Sequence, residues 1–231
     1  MKNDNCVWYK EVCEDYGTCD CSNYCIRFLE MKRLCELSNI PAGKWKPTAL
    51  YCDRLDNSAF SKLSQIKGNM KDWVEGGNNL YIYSENTGNG KTSWSIKLML
   101  SYFNQIWSGN GFRTRGLFIS VPSFLFMHKE LMNNFDEHFF RLKDMVSKVD
   151  LVIWDDIGVA PLTQYEHQLL LTYIDNRVLT GKANIYTGNV DKVTLEKYLG
   201  LRLASRIWNS SDKVHFMEAD KRTNQGVKIN G

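Results

Sequence analysis

The sequence predicts an α/β protein with a doubly wound, five-stranded parallel sheet flanked by helices. Short apolar segments have strand character at 79–84, 116–121, 151–154, 183–189 and 213–217. Segments with the apolar spacing of helices separate them. The segment 151–154 (LVIW) is apolar without alternation, which is typical of a strand that is covered on both faces. Strands that alternate with helices form parallel sheets, because each helix returns the chain to the same end of the sheet.

The helices are predicted from apolar residues that recur every three or four positions. The segments with this spacing are 59–77, 92–107, 123–148 (one helix or two) and 163–180. Gly76 and Gly77 are expected to end the first of them, and Gly181 the last. Pro122 is expected to end the second strand.

Composition and charge exclude several classes of protein. The chain has 231 residues, of which 43% are apolar and 13% aromatic, so it is neither a disordered tail nor a collagen-like repeat nor a disulfide miniprotein. The formal net charge of +3 does not by itself indicate nucleic-acid binding. Its apolar runs are too short for a bilayer, and its start lacks the apolar core of a signal peptide. We therefore expect a cytoplasmic protein that has no membrane contact.

The cysteines predict the domain organisation. All seven lie within the first 52 residues, and a turn-rich stretch at 38–58 contains two of the four prolines. We expect a Cys-rich N-terminal module with its linker at 1–58 and a larger domain at 59–231. In a reducing compartment, such a cluster favours metal binding or packed thiols over disulfides.

Four cysteines of the module are candidate zinc ligands: Cys13, Cys19, Cys21 and Cys25. A tetrahedral Zn²⁺ site needs four sulfur or nitrogen ligands. Their spacing differs from that of paired C-x2-C motifs, and Cys6 or Cys35 could replace one member. Zn²⁺ and reduced structural thiols therefore stay open as alternatives, although a metal would stabilise a module this small. Cys35 and Cys52 are interpreted as buried apolar residues.

A phosphate-binding loop is indicated between the first predicted strand and its helix. Residues 84–94 read SENTGNGKTSW, and Gly90-Lys91-Thr92 match the end of the pattern G-x-x-x-x-G-K-[ST]. Glycines let the backbone N–H groups point at phosphate oxygens, and the helix adds its positive N-terminal end. Lys91 is expected to contact the β- and γ-phosphates of ATP, and Thr92 to bind Mg²⁺. The residues expected around the nucleotide are Asn86, Thr87, Gly88, Asn89, Gly90, Lys91 and Thr92.

A second motif of the Walker B type strengthens the nucleotide hypothesis. The segment LVIWDDIG (151–158) is a buried strand that ends in two acids. Asp155 is expected to hold Mg²⁺ through its water shell, and Asp156 to polarise the attacking water. Two acids at a strand end could instead cap a helix, but their position about sixty residues after a P-loop favours the metal site.

Two residues depart from the common patterns. Glu85 stands where the P-loop pattern has its first glycine, and we expect it to point away from the phosphates. Asp156 stands where a glutamate is common, and its shorter side chain predicts slow hydrolysis. In the strand beside Walker B, the amide of Asn189 is expected to orient the attacking water.

The order of these motifs resembles that of the DnaC/IstB/DnaI-type AAA+ proteins, which are bacterial and phage helicase loaders. The resemblance rests on GNGKT, LVIWDDIG, YTGN and the segment LGLRLASRI, which has the form G-x-R-L-x-S-R-I. It is strong over 80–210 and looser over 13–78, where CIRFLEMKRLCELSNIP is similar to phage-encoded DnaC-like loaders. It implies an AAA+ P-loop NTPase that uses ATP and Mg²⁺ and assembles into a ring or spiral.

The resemblance also implies roles for five further residues. Arg202 matches the arginine finger that acts on a neighbouring subunit's nucleotide, and Arg206 matches the second sensor of its own subunit. Lys129 matches a lysine that contacts single-stranded DNA, while Thr163 and Tyr165 match contacts that follow Walker B. A cation neutralises phosphate, and a hydroxyl and a ring add hydrogen bonding and stacking without sequence preference. For Lys129, an ordinary solvated charge is an equal alternative.

Three functions remain open at this point. The first is an ATP-dependent loader that binds a replicative DnaB-type helicase and single-stranded DNA when DNA replication begins, in a phage or in its host. The second is an IstB-like transposition ATPase that acts on duplex DNA with a transposase. The third is a nucleotide-binding adaptor without significant hydrolysis. The Cys-rich module and the short chain favour the first.

Overall fold

A computed structural model describes residues 25–45, 50, 54–110, 113–131 and 136–218. It contains a five-stranded parallel sheet in the order β2-β3-β4-β1-β5. The strands are β1 (Asn79–Tyr83), β2 (Gly116–Ser120), β3 (Leu151–Asp155), β4 (Ala183–Gly188) and β5 (Asp212–His215). All five predicted strands are present, and the predicted fold class is confirmed.

Helices cover both faces of this sheet. They are α1 (Ile26–Leu37), α2 (Asn57–Gly68), α3 (Met70–Glu75), α4 (Lys91–Ile106), α5 (Val121–Glu130), α6 (Glu137–Lys148), α7 (Gln164–Leu179), α8 (Lys192–Leu199) and α9 (Leu201–Ser210). Leu151 and Ile153 of β3 pack in the cluster with α1–α4, whereas Val152 and Trp154 pack in the cluster with α5–α9. Burial on both faces explains why LVIW is apolar without alternation. In the described ranges, no helix is long and apolar enough to cross a membrane.

The helix α1 packs on the same core as the sheet. Met31, Leu34 and Cys35 are buried in one cluster with residues of α4. The backbone N–H of Phe118 in β2 donates to the carbonyl of Ser38 at 2.7 Å, which fixes the chain after α1 beside the sheet. Cys35 is fully buried, which confirms its interpretation as a buried apolar residue, and burial raises its pKa to about 12. Cys52 lies outside the described residues. The proposed domain boundary at residue 58 stays a prediction.

Two predicted helix boundaries differ from the structure. The segment 59–77 is two helices, because Asn69 has φ −128° and ψ 43° and interrupts the helical backbone after Gly68. Pro122 lies in the first turn of α5 instead of ending β2, which suits a residue that has no N–H to donate.

Candidate functional site

The loop between β1 and α4 has the backbone geometry of a phosphate-binding loop. Gly88 and Gly90 have φ values of 71° and 97°. Glycine reaches this left-handed region without the steric cost that a Cβ imposes. Gly90 is the N-cap of α4, so the loop leads directly into the positive end of that helix.

Lys91 is held inside this loop by neutral oxygens. Its Nζ donates to the carbonyl of Asn86 at 2.8 Å and to Oδ1 of Asn89 at 3.0 Å. Asn89 is itself fixed, because its Nδ2 donates to Oγ of Ser84 at 2.6 Å. The lysine side chain is buried, with 6% of its surface exposed. The loop therefore presents a cation and a helix N-terminus to the same space, as phosphate binding requires.

Glu85 is directed to the edge strand β5. Nε2 of His215 donates to its carboxylate at 2.8 Å, and this hydrogen bond holds the pKa of Glu85 below its ordinary value. The side chain of Glu85 is largely exposed. This geometry agrees with the expectation that Glu85 points away from the phosphates.

The Walker B strand brings Asp155 to the P-loop. Asp155 ends β3 and is 6% exposed. Burial raises its pKa, while hydrogen bonds from Thr187 and Thr92 and the charge of Lys91 act in the opposite direction. A hydroxyl and a carboxylate are oxygen ligands of the kind that Mg²⁺ prefers. Thr92 and Asp155 thus fit a magnesium ion, and Lys91 lies beside them.

Asp156 and Asn189 lie at the same edge of the sheet. Asp156 has a φ of 59°, which is rare for a residue with a side chain and is common at functional sites. Asn189 directly follows β4, which pairs with β1 on one side and with β3 on the other. Its half-buried side chain is therefore placed between the P-loop strand and the Walker B strand.

The two arginines of α9 meet one acid of the same chain. Arg206 Nε lies 2.6 Å from the carboxylate of Asp175 in α7, and Arg202 Nη2 lies 3.6 Å from it. Arg202 remains the more exposed of the two. Their roles as arginine finger and second sensor stay predictions.

The three predicted DNA contacts lie together where α5 ends and α7 begins. Lys129 Nζ is 3.7 Å from the carboxylate of Glu166, and the Tyr165 hydroxyl is 2.8 Å from Nδ1 of His128. Thr163 is the N-cap of α7 and forms a capping box with Glu166. Thr163 thus has a stabilising role that the sequence interpretation missed, although threonine followed three residues later by glutamate is its usual signature.

The zinc hypothesis falls mostly outside the described residues. Cys13, Cys19 and Cys21 lie there, and Cys25 precedes α1 as a half-buried free thiol. Cys35 is buried in the core. Among the residues that the structure describes, no three His, Cys, Asp or Glu side chains are grouped to hold a metal. The zinc site stays a prediction.

Two contacts at the site were not predicted. Thr187 of β4 donates from Oγ1 to Oδ1 of Asp155 at 2.6 Å. Thr187 lies two residues before Asn189 on a strand that was predicted to lie beside Walker B, and this position could have indicated the contact with Asp155. Asn86 also bonds to the carbonyls of Met217 and Glu218, which ties the P-loop to the chain after β5.

Comparisons with solved structures agree with this architecture. The DnaC helicase loader matches 76% of this chain and 99% of its own, with 19% identity and a TM-score of 0.63. DnaI matches 77% of this chain and 95% of its own, with 18% identity and a TM-score of 0.57. The replication initiator DnaA, bound to AMPPCP and single-stranded DNA, matches 78% of this chain and 54% of its own, with 17% identity and a TM-score of 0.55.

The chain has the fold of AAA+ P-loop NTPases. Within that class its structure is similar to DnaC- and DnaI-type loaders. No protein-family model and no curated protein sequence matches the chain. At identities below 20%, the likeness shows the fold alone.

Proposed function

We propose that this protein is an ATP-dependent helicase loader that acts when DNA replication begins, including replication of phage DNA. The observation that carries the proposal is the loop between β1 and α4, which holds the buried Lys91 at the N-terminus of α4 near Asp155 at the end of β3. The structural likeness to DnaC, DnaI and the initiator DnaA supports a role in the initiation of replication, and the motif order that resembles helicase loaders favours a loader within that group. In this proposal, the N-terminal module binds a DnaB-type helicase and the ATPase domain binds single-stranded DNA.

The residues of the site suit a phosphoryl-transfer role. Lys91 would contact the β- and γ-phosphates, while Thr92 and Asp155 would hold Mg²⁺. The bound ion would neutralise charge on the phosphate oxygens. Asp156 would polarise the attacking water, and Asn189 would orient it. Because aspartate is shorter than the usual glutamate, we expect slow turnover. We also expect assembly or DNA to stimulate it, since Arg202 would act on the nucleotide of a neighbouring subunit.

The surfaces outside the nucleotide site support contacts with two partners. Lys129 and Tyr165 offer a cation and an exposed ring at one junction of helices, which suits single-stranded DNA. On α1, Ile26 and Leu29 are exposed and lie three positions apart on one face, and in this proposal they are candidate contacts with the helicase.

The hydrolysis step is tested by Asp156→Asn. The amide cannot accept a proton from water as the carboxylate does, so the variant should bind ATP normally and lose turnover. Unchanged turnover would assign the role of Asp156 to another residue.

The loader function is tested by co-purification of the full chain with DnaB-type helicases, with and without Mg²⁺-ATP. The expected result is a stable helicase complex and a preference for single-stranded over duplex DNA. Association with a transposase and equal binding of duplex DNA would favour the transposition function instead. Nucleotide binding without turnover on saturating DNA would favour the adaptor.

A further inference from the structure

Thr187 connects the strand that leads to Asn189 with the turn that follows Walker B. Its Oγ1 donates to Oδ1 of Asp155 at 2.6 Å and accepts from the backbone N–H of Asp156 at 3.1 Å. Its carbonyl accepts from the N–H of Ile157 at 2.8 Å. Thr187 thus bonds to three consecutive residues at the end of the Walker B segment, and it is buried, with 1% of its surface exposed.

The hydroxyl of Thr187 constrains both acids at once. The bond to Oδ1 restricts rotation of the Asp155 carboxylate and so limits the directions in which its other oxygen can meet a ligand. For Asp156, the bond to the backbone N–H supports the unfavourable positive φ that directs its side chain. A single hydroxyl therefore acts as acceptor for one acid's backbone and as donor to the other acid's side chain.

The packing leaves little freedom at this point. A Cβ on Gly188, the next residue, would lie 2.8 Å from the carbonyl oxygen of Ile157 and 2.5 Å from the hydroxyl of Tyr81. The end of β4 and the turn after β3 are therefore in direct backbone contact. Thr187 lies beside this contact, and its hydroxyl is hydrogen-bonded to the side chain of Asp155 and to the backbone of Asp156.

We propose that Thr187 is a positioning residue of the nucleotide site, which orients Asp155 toward Mg²⁺ and keeps Asp156 in the conformation that water activation needs. This inference rests on the proposed ATPase function. It assigns a role to a residue that itself contacts neither nucleotide nor metal. The hydrogen-bond partners of metal ligands commonly contribute about 10–100-fold to metal affinity or activity.

The test compares Thr187→Val, which keeps the shape and loses the hydroxyl, with Thr187→Ser, which keeps the hydroxyl. Thr172→Val is the matched control, because within the described part of the chain the hydroxyl of Thr172 bonds only to the carbonyl of Gln168 on its own helix. The measurements are ATP affinity with and without Mg²⁺, kcat and KM of hydrolysis, and hydrogen exchange of the Asp156 amide in the nucleotide-free protein.

For Thr187→Val we expect unchanged ATP affinity without Mg²⁺ and a Mg²⁺ requirement raised by about 10-fold or more. The value of kcat should fall while KM stays unchanged, and the Asp156 amide should exchange faster. Thr187→Ser should keep the wild-type Mg²⁺ requirement, kcat and amide exchange rate.

Wild-type Mg²⁺ dependence and kcat in Thr187→Val would overturn the inference, and so would a failure of serine to rescue. If the wild-type protein binds no ATP, the proposed function fails, and this inference fails with it. If the wild-type protein binds Mg²⁺-ATP and the variants match it, the inference fails alone.

Discussion

The guanidinium group of Arg206 lies 2.6 Å from the carboxylate of Asp175, and Arg202 approaches the same carboxylate at 3.6 Å. The arginines lie four residues apart on α9, and Asp175 lies on α7 with 17% of its side chain exposed. Any phosphate that either arginine contacts must therefore compete with an acid of the same chain. Arg202 is the weaker partner of Asp175, because it lies farther away and is 69% exposed.

The first prediction concerns these two arginines. Arg202→Ala should bind ATP normally and lose about 10³–10⁵-fold in turnover, because the finger stabilises charge that develops on the γ-phosphate. Mixing it with Lys91→Ala protein should restore some activity, since a mixed interface pairs one intact finger with one intact P-loop. Arg206→Ala should instead weaken ATP binding without rescue by mixing.

The control for the arginine experiment is Arg141→Ala, since Arg141 is an exposed arginine paired with Glu137 on α6. The measurement is steady-state ATP hydrolysis over a range of protein concentrations. Full turnover by Arg202→Ala alone, or an inactive mixture in which both proteins assemble, contradicts the finger assignment.

The second prediction concerns the junction of α5 and α7. Lys129→Ala should weaken single-stranded DNA binding and reduce its salt dependence, because fewer counterions are released. Glu166→Gln should strengthen it, since the substitution removes the charge near Lys129 and glutamine still suits a capping box. Fluorescence anisotropy at several salt concentrations measures both effects, with Lys148→Ala as the control. Weaker DNA binding by Glu166→Gln would contradict this prediction, because it would show that Glu166 does not compete with DNA for Lys129.

The third prediction concerns the cysteines. Protein purified without chelators should contain about one Zn²⁺ per chain, bound through Cys13, Cys19, Cys21 and Cys25. Elemental analysis measures the content, and Cys25→Ser should lower it and abolish helicase binding while ATP binding persists. Metal-free protein that still binds the helicase would favour reduced structural thiols.

The fourth prediction concerns Arg177, which is fully buried. Its guanidinium donates to Oδ1 of Asn184 at 2.7 Å and to the carbonyls of Val146 and Ala183 at 2.7 and 2.6 Å. Burial lowers its pKa to about 10, so it stays charged at neutral pH. Arg177→Leu removes the donor to both carbonyls and leaves Asn184 Oδ1 with Trp154 Nε1 alone, so it should lower the free energy of unfolding by about 3 kcal/mol or more.

Urea unfolding measures this loss, and Arg141→Ala serves as the exposed control, with an expected change within about 0.5 kcal/mol. A loss below about 1 kcal/mol for Arg177→Leu would show that water or neighbouring donors replace the guanidinium group.

The features that the sequence predicted are those encoded by nearby residues. The five strands follow from short apolar runs, and the P-loop follows from the spacing of Gly90, Lys91 and Thr92. Two of the features that it missed depend on residues distant in the chain. Thr187 meets Asp155, and Arg177 meets the carbonyl of Val146, through strand register and helix packing that local spacing does not encode.

The break at Asn69 shows a different limit of sequence interpretation. The apolar spacing of 59–77 continues across it, so the periodicity alone predicts one helix. The helix nevertheless ends at Gly68. Glycine has the lowest helix propensity of all residues except proline, so the helical backbone is least stable at this position.

The central claim, that this loop binds Mg²⁺-ATP, is tested most directly by equilibrium ATP binding to Lys91→Ala. Lys97→Ala, on the same helix, is the matched control, and circular dichroism and thermal unfolding check that both variants are folded. The account predicts that Lys91→Ala loses ATP binding and keeps its fold, whereas Lys97→Ala keeps both. Wild-type affinity for ATP in folded Lys91→Ala protein would contradict it.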